Sequence, residues 1–298
     1  MQNPRTIDPD YLTSRLKALL DIPSPTGFTD EAVRYTAREL ERLGLEVKLT
    51  RRGAIRALRP GAAQRPARGI VSHLDTLGAQ VKALKENGRL ELVSIGHWSA
   101  RFAEGGRLTV FTDTQQLRGT CLPLKTSGHA FGPEIDTQPI GWDHVEVRVD
   151  VPAERAEDLL AAGIQVGDWI AFDPQLELLD NGYINARYLD DKAAVAALLC
   201  ACKALVDAGI EPPVDVHPLF TITEEVGSGA SAALHGDIAE MVSLDIAIAA
   251  PGQNTSEHAV TICLQDLSGP FDFHLTHKLI GLAEAHGLPH RRDVFRFY

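Results

Sequence analysis

The stretch RYLDDKAAV, Arg187 to Val195, places two adjacent carboxylates, Asp190 and Asp191, at the head of a run of alanine, valine and leucine that reads as one apolar helix over 191–208. One acidic residue in a first helical turn complements the positive end of the helix dipole, worth roughly a few tenths of a kcal/mol. A second beside it adds close charge repulsion, ahead of a helix that reads as buried on most sides, unless a cation lies between the two. The pair therefore raises two expectations: an α/β architecture in which this helix follows and precedes strands, and a metal site whose other donors lie elsewhere in the chain.

Downstream of the helix the pattern continues in alternation. VHPLFTI (216–222) reads as a strand, with Pro218 its weak point because proline withholds a ladder donor. A short helix is expected over 229–234, strands at SLDIAIA (243–249) and HAVTICL (258–264), a helix over 272–286 and a last strand at DVFRFY (293–298). Upstream, Leu12, Leu16, Leu19 and Leu20 recur at helical spacing, as do Val33, Ala37, Leu40 and Leu43 in a segment opened by Asp30 and Glu31 and stopped at Gly44. LEVKLT and AIRALR, separated by Arg51-Arg52-Gly53, read as a hairpin, and GIVSH (69–73) as a short strand. Between 78 and 178 the texture changes to short alternating segments, RLELVSI, RLTVFT, HVEVRVDV and DWIAFDPQLELL, broken by turn residues, with one helical piece over 153–162. The expected organisation is an α/β domain in two parts, 1–77 and 179–298, interrupted by a small β-rich domain over 78–178.

With 298 residues and 44% hydrophobic content the chain can bury a substantial core. Its net charge of −11 argues against nucleic acid and anionic membranes as partners. No apolar run approaches the roughly 18 residues of a membrane span, and MQNPRTIDPDYL lacks the parts of a signal peptide, so a cytoplasmic location is expected. The four cysteines show no C-x-x-C spacing and read as core packing.

Acidic and imidazole residues fall at expected strand ends and helix starts, where open α/β sheets place ligands. In SHLDTLG, His73 and Asp75 are two apart and project to one side of an extended chain, so the carboxylate can hold one ring nitrogen while the other binds a cation. The bland alternative is a strand-end histidine satisfied by its neighbour. In TITEEVG, Glu224 and Glu225 point in opposite directions if extended, separating a ligand from a base. Asp245 is a charge in an otherwise apolar segment and needs a partner, a cation or a buried basic residue. His73, the Asp190-Asp191 pair, the Glu224-Glu225 pair and Asp245 together are imidazole plus hard oxygen donors, suited to Zn²⁺, Co²⁺ or Mn²⁺ and unlike an all-oxygen calcium loop. No G-x-S-x-G, glycine-rich phosphate loop or H-E-x-x-H is present.

The order and wording of SHLDTLG, RYLDDKAAV and TITEEVG, with VGDWIAF in the insert, resemble the M42 metallo-aminopeptidases, related to glutamyl aminopeptidase and the tetrahedral aminopeptidases. APGQNTSEHAVTI is similar to a bacterial subgroup associated with synthesis of the osmoprotectant N-acetylglutaminylglutamine amide. The resemblance implies a three-layer αβα fold with a mixed sheet, two divalent cations per subunit (Zn²⁺ or Co²⁺, with Mn²⁺ as a further choice), and homo-oligomers formed through the inserted domain. It implies that Asp190 bridges the cations, that His73 and Asp245 complete the first and that Glu225 binds the second. Asp191 would support Asp190 through a cis peptide, and Asp75 would hold His73. Glu224 would take a proton from water and return it to the leaving amine of a peptide or peptide-like substrate. The family's fifth ligand, a C-terminal histidine, finds no match before Tyr298; His286 and His290 fall too early and read as exposed. The resemblance therefore also implies a shortened chain with a weakened second site. The alternatives are a metallo-deacylase or carboxypeptidase of the M20 type, which shares H-x-D and E-E motifs, and a truncated inactive relative that only oligomerises.

Overall fold

The computed structural model describes residues 7–296. Residues 1–6, the head of the stretch read for a signal peptide, and 297–298, the end of the expected last strand, lie outside the described residues. The chain is a mixed α/β fold that divides into two compact units, Met1–Leu244 and Asp245–Tyr298.

The first unit opens with helices α1 (Pro9–Leu20) and α2 (Asp30–Arg42), followed by β1 (Glu46–Leu49), β2 (Ile55–Leu58) and β3 (Ala63–His73). Next come β4 (Gly78–Leu84), β5 (Leu90–Ile95), β6 (Arg107–Phe111), β7 (Gln116–Pro123), the single turns α3 (Gly128–Phe131) and α4 (Glu134–Thr137), β8 (Val145–Val149), α5 (Ala156–Ala161) and β9 (Trp169–Phe172). A small hairpin, β10 (Glu177–Leu178) with β11 (Ile184–Asn185), leads into α6 (Leu189–Asp207), β12 (Val214–Thr221), α7 (Ala230–Ala233) and β13 (Ile238–Ser243).

Five of these strands form one sheet in the order β1-β2-β12-β3-β13, with β12 and β13 both parallel to β3. Strand side chains alternate between faces, and the burial follows that alternation. Ile55 and Phe220 pack in one cluster with Leu16, Leu19, Leu40, Val195 and Leu199 from α1, α2 and α6. Ala54, Val71 and Leu219 pack with Ala233 of α7 in another. Helices thus cover both faces.

Pro218 sits inside β12, between β2 and β3. Val216 and Arg59 exchange both backbone bonds, and pairing with β2 resumes at Leu219 opposite Arg56. The break falls at Pro218, where an antiparallel ladder would call on the amide that proline lacks, while the parallel pairing of Pro218 with Ile70 persists. One lost rung is the whole cost of proline in this central strand.

The strands between β3 and α6 close into a barrel, β4-β5-β8-β7-β6-β9. Two of its strands, β4 and β7, were not expected from the sequence, because Gly78, Gly119 and interspersed basic and polar residues blur their alternation. The barrel interior is filled at period two by Ala79 and Val81, Leu90 and Leu92, Leu108 and Val110, and Val145, Val147 and Val149. Closure leaves no open sheet edge.

In the second unit β14 (Val260–Asp266) pairs antiparallel with β15 (Gly269–Pro270) and parallel with β16 (His290–Val294), and α8 (Phe273–Ala285) packs on β14 through Ile262, Ile280 and Ala283. The expected strand SLDIAIA is corrected: β13 ends at Ser243 and 244–250 is irregular. The last ladder bond there, Leu244 N–H to Val71 O at 2.7 Å, comes near the end of β3, so a longer strand would have nothing to pair with on that side. His290 opens β16 rather than trailing the helix, and it is half-buried. All four cysteines are free thiols; Cys121, Cys200 and Cys202 are buried.

Candidate metal centre

His73 is the last residue of β3 and is 2% exposed. Its Nδ1 lies 2.9 Å from the backbone carbonyl of Asp75 and 3.5 Å from the Asp75 carboxylate. The expected carboxylate contact is therefore the longer of the two, and the carbonyl is the closer partner. A carbonyl can only accept, so Nδ1 carries a proton, and in a neutral ring Nε2 would present a lone pair. Nε2 lies 3.0 Å from Asp190 Oδ1. Two acceptors at this distance repel unless a proton or a cation lies between them. Two donors bound to one tetrahedral cation at about 2.0–2.1 Å sit roughly 3.3 Å apart. The pair therefore fits a shared divalent ion.

Asp190 reaches this place through an unusual helix entry. Asp190 and Asp191 have non-helical backbone angles and are joined by a cis peptide bond, preceded by Tyr188 at φ 66°. The pair thus stands ahead of the regular helix, which begins after Asp191. Asp191 is fully buried, and its carboxylate accepts from the Ser72 hydroxyl at 2.5 Å and the His73 amide at 3.0 Å. It fastens the head of α6 to the carboxyl end of β3. Lys192 is equally buried and donates to Leu19 O at 2.9 Å and Ile22 O at 2.6 Å, carbonyls at the end of α1. Burial pulls its amine down to about 7.

The E-E pair lies in a single 3₁₀ turn, Glu224–Val226, not in extended chain. β12 ends at Thr221, and the turn is closed by Gly227 at φ 84°. Separation of the two side chains follows from this turn. Glu224 is half exposed, with its carboxylate 3.7 Å from His73 Nε2. Glu225 turns inward and accepts from the Leu77 amide at 3.1 Å. Burial, reinforced by the Asp190 charge, raises the Glu225 carboxyl to about 8. A carboxyl in that state gains from a bound cation, because the ion replaces the proton.

Asp75 is the hub beneath these groups and is fully buried. Oδ2 accepts from the Thr26 hydroxyl at 2.7 Å and the Glu225 amide at 3.3 Å, and Oδ1 from the Glu224 amide at 3.1 Å. Burial alone would raise its carboxyl, but His73, Thr26 and the Glu224 amide outweigh it and hold the carboxyl below its ordinary value. Thr26 is held in place by backbone bonds between the 24–26 segment and Thr76. Gly96, at φ +78°, lies against the same turn; a side chain there would overlap Leu77 and approach the Glu225 carbonyl at 3.3 Å.

The first unit thus brings together His73, Asp75, Asp190, Glu224 and Glu225. Asp245 opens the second unit directly after Leu244, half-buried, with its carboxylate accepting from the Ile246 amide at 2.7 Å. Thr26, Ser72 and Lys192 were not expected at the site; a lysine directly after two aspartates was the only local sign of any of them.

A sequence profile described as M42 glutamyl aminopeptidase matches residues 53–298. The aminopeptidase candidate YhfE of Bacillus subtilis (strain 168) is 34% identical over 284 residues, spanning 95% of this chain and 82% of that protein. Lysyl aminopeptidase of Pyrococcus furiosus is 25% identical over 217 residues, 71% of this chain; the chain spans 59% of that relative's length. Among solved structures, a TET aminopeptidase from a marine-sediment Thaumarchaeota archaeon superposes with a TM-score of 0.85 at 22% identity, covering 96% of this chain and 81% of that one. The TET1 peptidase of Pyrococcus horikoshii, described as assembling into a tetrahedron or a large octahedral shell, gives a TM-score of 0.82 at 26% identity, covering 95% and 84%.

Proposed function

The chain belongs to the M42 glutamyl aminopeptidase family, and we propose on that premise that it is a cation-dependent aminopeptidase removing the first residue of short peptides or of a peptide-like metabolite. The observation that carries this reading is the 3.0 Å contact of His73 Nε2 with Asp190 Oδ1, with the half-exposed Glu224 carboxylate beside them.

From the family resemblance we assign His73, Asp190 and Asp245 to a first cation, and Asp190 with Glu225 to a second. The position of Asp245, one residue beyond the last bond of β13 to β3, supports its inclusion. Zn²⁺ or Co²⁺ suits the first set, with Mn²⁺ as a further choice. The second ion, with only Asp190 and Glu225 assigned to it, is inferred to be held more weakly than the first. When bound, the cations would supply a Lewis acid for the scissile carbonyl and lower the pKa of bound water toward about 7.

The protein's own groups do the rest. Glu224, half exposed to solvent, takes a proton from the attacking water and gives it to the leaving amine. Asp75 holds the Glu224 and Glu225 amides and so fixes where both carboxylates point. A substrate's free α-amino group rests against a bound cation or an acidic side chain of the site, favouring cleavage at an open N-terminus. The closed β barrel is the surface through which copies associate, by analogy with the shell-forming TET1 peptidase. A cytoplasmic location accords with the finding that no described helix is long and apolar enough to cross a membrane.

Purified protein given Co²⁺ or Zn²⁺ is tested on aminoacyl-p-nitroanilides and on their N-acetylated counterparts. Release from free N-termini alone is expected. Release from acylated substrates alone would replace the reading with a deacylase, and no release from either would overturn it.

A further inference from the structure

Arg187 and Tyr188, shortly ahead of the Asp190-Asp191 pair, are bonded to the block that carries the barrel. The Phe172 amide, at the end of β9, donates to the Tyr188 hydroxyl at 3.1 Å. The Arg187 amide donates to Pro174 O at 2.7 Å, and Arg187 Nη1 to Phe102 O at 2.6 Å. The first of these bonds uses a donor that the barrel leaves over. β9 pairs with β4 at Ala79–Ile170 and Gln80–Trp169, and the same register sets Phe172 opposite Leu77, one residue before β4 begins. Phe172 is buried, so its amide needs a partner past the end of that ladder, and the Tyr188 hydroxyl is that partner.

The Tyr188 backbone lies at φ 66°, in the left-handed region that a residue with a side chain rarely adopts. Such a conformation persists where the surroundings over-determine it. Here they are the Phe172 bond and the packing of the ring against both hydrophobic cores, that of the five-stranded sheet and that of the barrel. Two residues on stands Asp190. Among the described residues its carboxylate has no hydrogen-bonding partner except His73 Nε2, so its aim depends on where the backbone holds it. Downstream, Asp191 fixes that backbone to β3 through the Ser72 hydroxyl and the His73 amide. Upstream, Tyr188 fixes it to β9. A change at the upstream anchor therefore moves Asp190 against a histidine that stays in place on β3.

We propose, resting on the aminopeptidase reading, that Tyr188 is a positioning residue: through its hydroxyl the barrel strand β9 sets the place of Asp190 beside His73, so that the inserted barrel is part of the scaffold of the metal centre. Tyr188 also borders the cavity beside the centre, which makes a direct contact with substrate the competing reading.

Tyr188→Phe keeps the ring and removes the hydroxyl. Calorimetric titration with Zn²⁺ is expected to give a dissociation constant about 10-fold weaker than in the wild type. The visible absorption band of bound Co²⁺, which reports ligand geometry, is expected to shift. On an aminoacyl-p-nitroanilide at saturating cation, kcat should fall about 10-fold while KM stays within about 3-fold. Val147→Ala is the control for general loosening, because it opens a cavity in β8, a buried barrel strand that does not pair with β9. It should lower the melting temperature and leave the Zn²⁺ dissociation constant and the Co²⁺ band as they were. Should Tyr188→Phe fail to fold, Arg187→Met, which removes the Phe102 bond alone, is expected to weaken Zn²⁺ binding by at least about 3-fold. An unchanged dissociation constant and Co²⁺ band in the folded variant would overturn the proposal, as would a rise in KM alone or a loss of affinity equalled by Val147→Ala. Affinity that falls with the hydroxyl, in a protein that cleaves no peptide, would sink the aminopeptidase reading and leave the tie standing. A wild type that binds neither ion would overturn both.

Discussion

Replacing Asp75 with asparagine keeps its shape and removes one acceptor, and the consequence follows from four contacts. Oδ2 accepts from the Thr26 hydroxyl at 2.7 Å and the Glu225 amide at 3.3 Å; Oδ1 accepts from the Glu224 amide at 3.1 Å and lies 3.5 Å from His73 Nδ1. A hydroxyl can reverse its role, but a backbone amide cannot. If the new NH₂ group takes the Oδ2 place it meets the Glu225 N–H, and if it takes the Oδ1 place it meets the Glu224 N–H. Either way one buried donor is stranded, at a cost of about 1–3 kcal/mol, and the surviving bonds lose their charge assistance, about 1 kcal/mol more. A loss of roughly 2–4 kcal/mol should lower the melting temperature by roughly 4–10 °C at this chain length. Both catalytic-turn glutamates would also lose their fixed aim, and misplacement on the scale of about 1 Å costs roughly 100-fold in rate. The measurements are a thermal melt and kcat on an aminoacyl-p-nitroanilide. An Asp75→Asn protein with an unchanged melt and unchanged kcat would refute the role of this carboxylate as the hub of the site. The acid limb gives a second check. The Asp75 carboxyl is held below its ordinary value, so its stabilising contribution is present above the unfolded pKa near 3.9 and is lost as pH falls through the folded value.

Glu224→Gln should retain bound cations by elemental analysis while losing about 100- to 10,000-fold in kcat; an unchanged rate would end its assignment as base. Glu225, raised to about 8 in the cation-free fold, binds a proton that the unfolded chain releases near pH 4.3, so chelated protein should lose stability as pH climbs from about 5 to 8. Added Zn²⁺ or Co²⁺ should restore more of the melting temperature at pH 8 than at pH 5.5, and Glu225→Gln should flatten that difference; a pH-independent metal shift would count against Glu225 as a ligand. For Lys192, drawn down to about 7 by burial, the unfolded state binds the extra proton between about pH 7 and 10.4. Wild-type stability should therefore rise relative to Lys192→Met across that window, and parallel pH curves for the two proteins would contradict the burial of a neutral amine.

Much of the fold could be read from local pattern. The two opening helices, the β1–β2 hairpin, α6, β12, α7 and α8 all lie where period and turn residues put them, because each buries a regular stripe or face. The misses share a cause. SLDIAIA is apolar enough for a strand, but in the observed register pairing beyond Asp245 would outrun the end of β3, and that end is fixed by residues about 170 positions earlier in the chain. β4 and β7 are strands because barrel closure gives each a neighbour on both sides, a benefit that no window of sequence displays. Pro218 shows the converse: a rule against proline in central strands yields when only one rung of one ladder is affected.

The site divides in the same way, between groups that touch the proposed cations and groups that aim them. His73, Asp190, Glu224 and Glu225 stand out in sequence because acidic and imidazole side chains gather at expected strand ends and helix starts, where open α/β sheets place ligands. Their supports do not stand out. Ser72 and Thr26 are ordinary small polar residues until the Asp191 and Asp75 carboxylates are found against them, and Lys192 reads as a solvated helix cation until its Nζ is found on the Leu19 and Ile22 carbonyls. Each support joins elements far apart in sequence: Thr26 the α1–α2 loop to β3, Asp191 the head of α6 to β3, and Asp75 the β3 end to the turn after β12. The carboxyl end of β3 is where all three converge. A change that shortened β3 by a single rung would therefore displace His73, the entry of α6 and the glutamate turn together, which is why the donors occur as separate short motifs but can function only as one assembly.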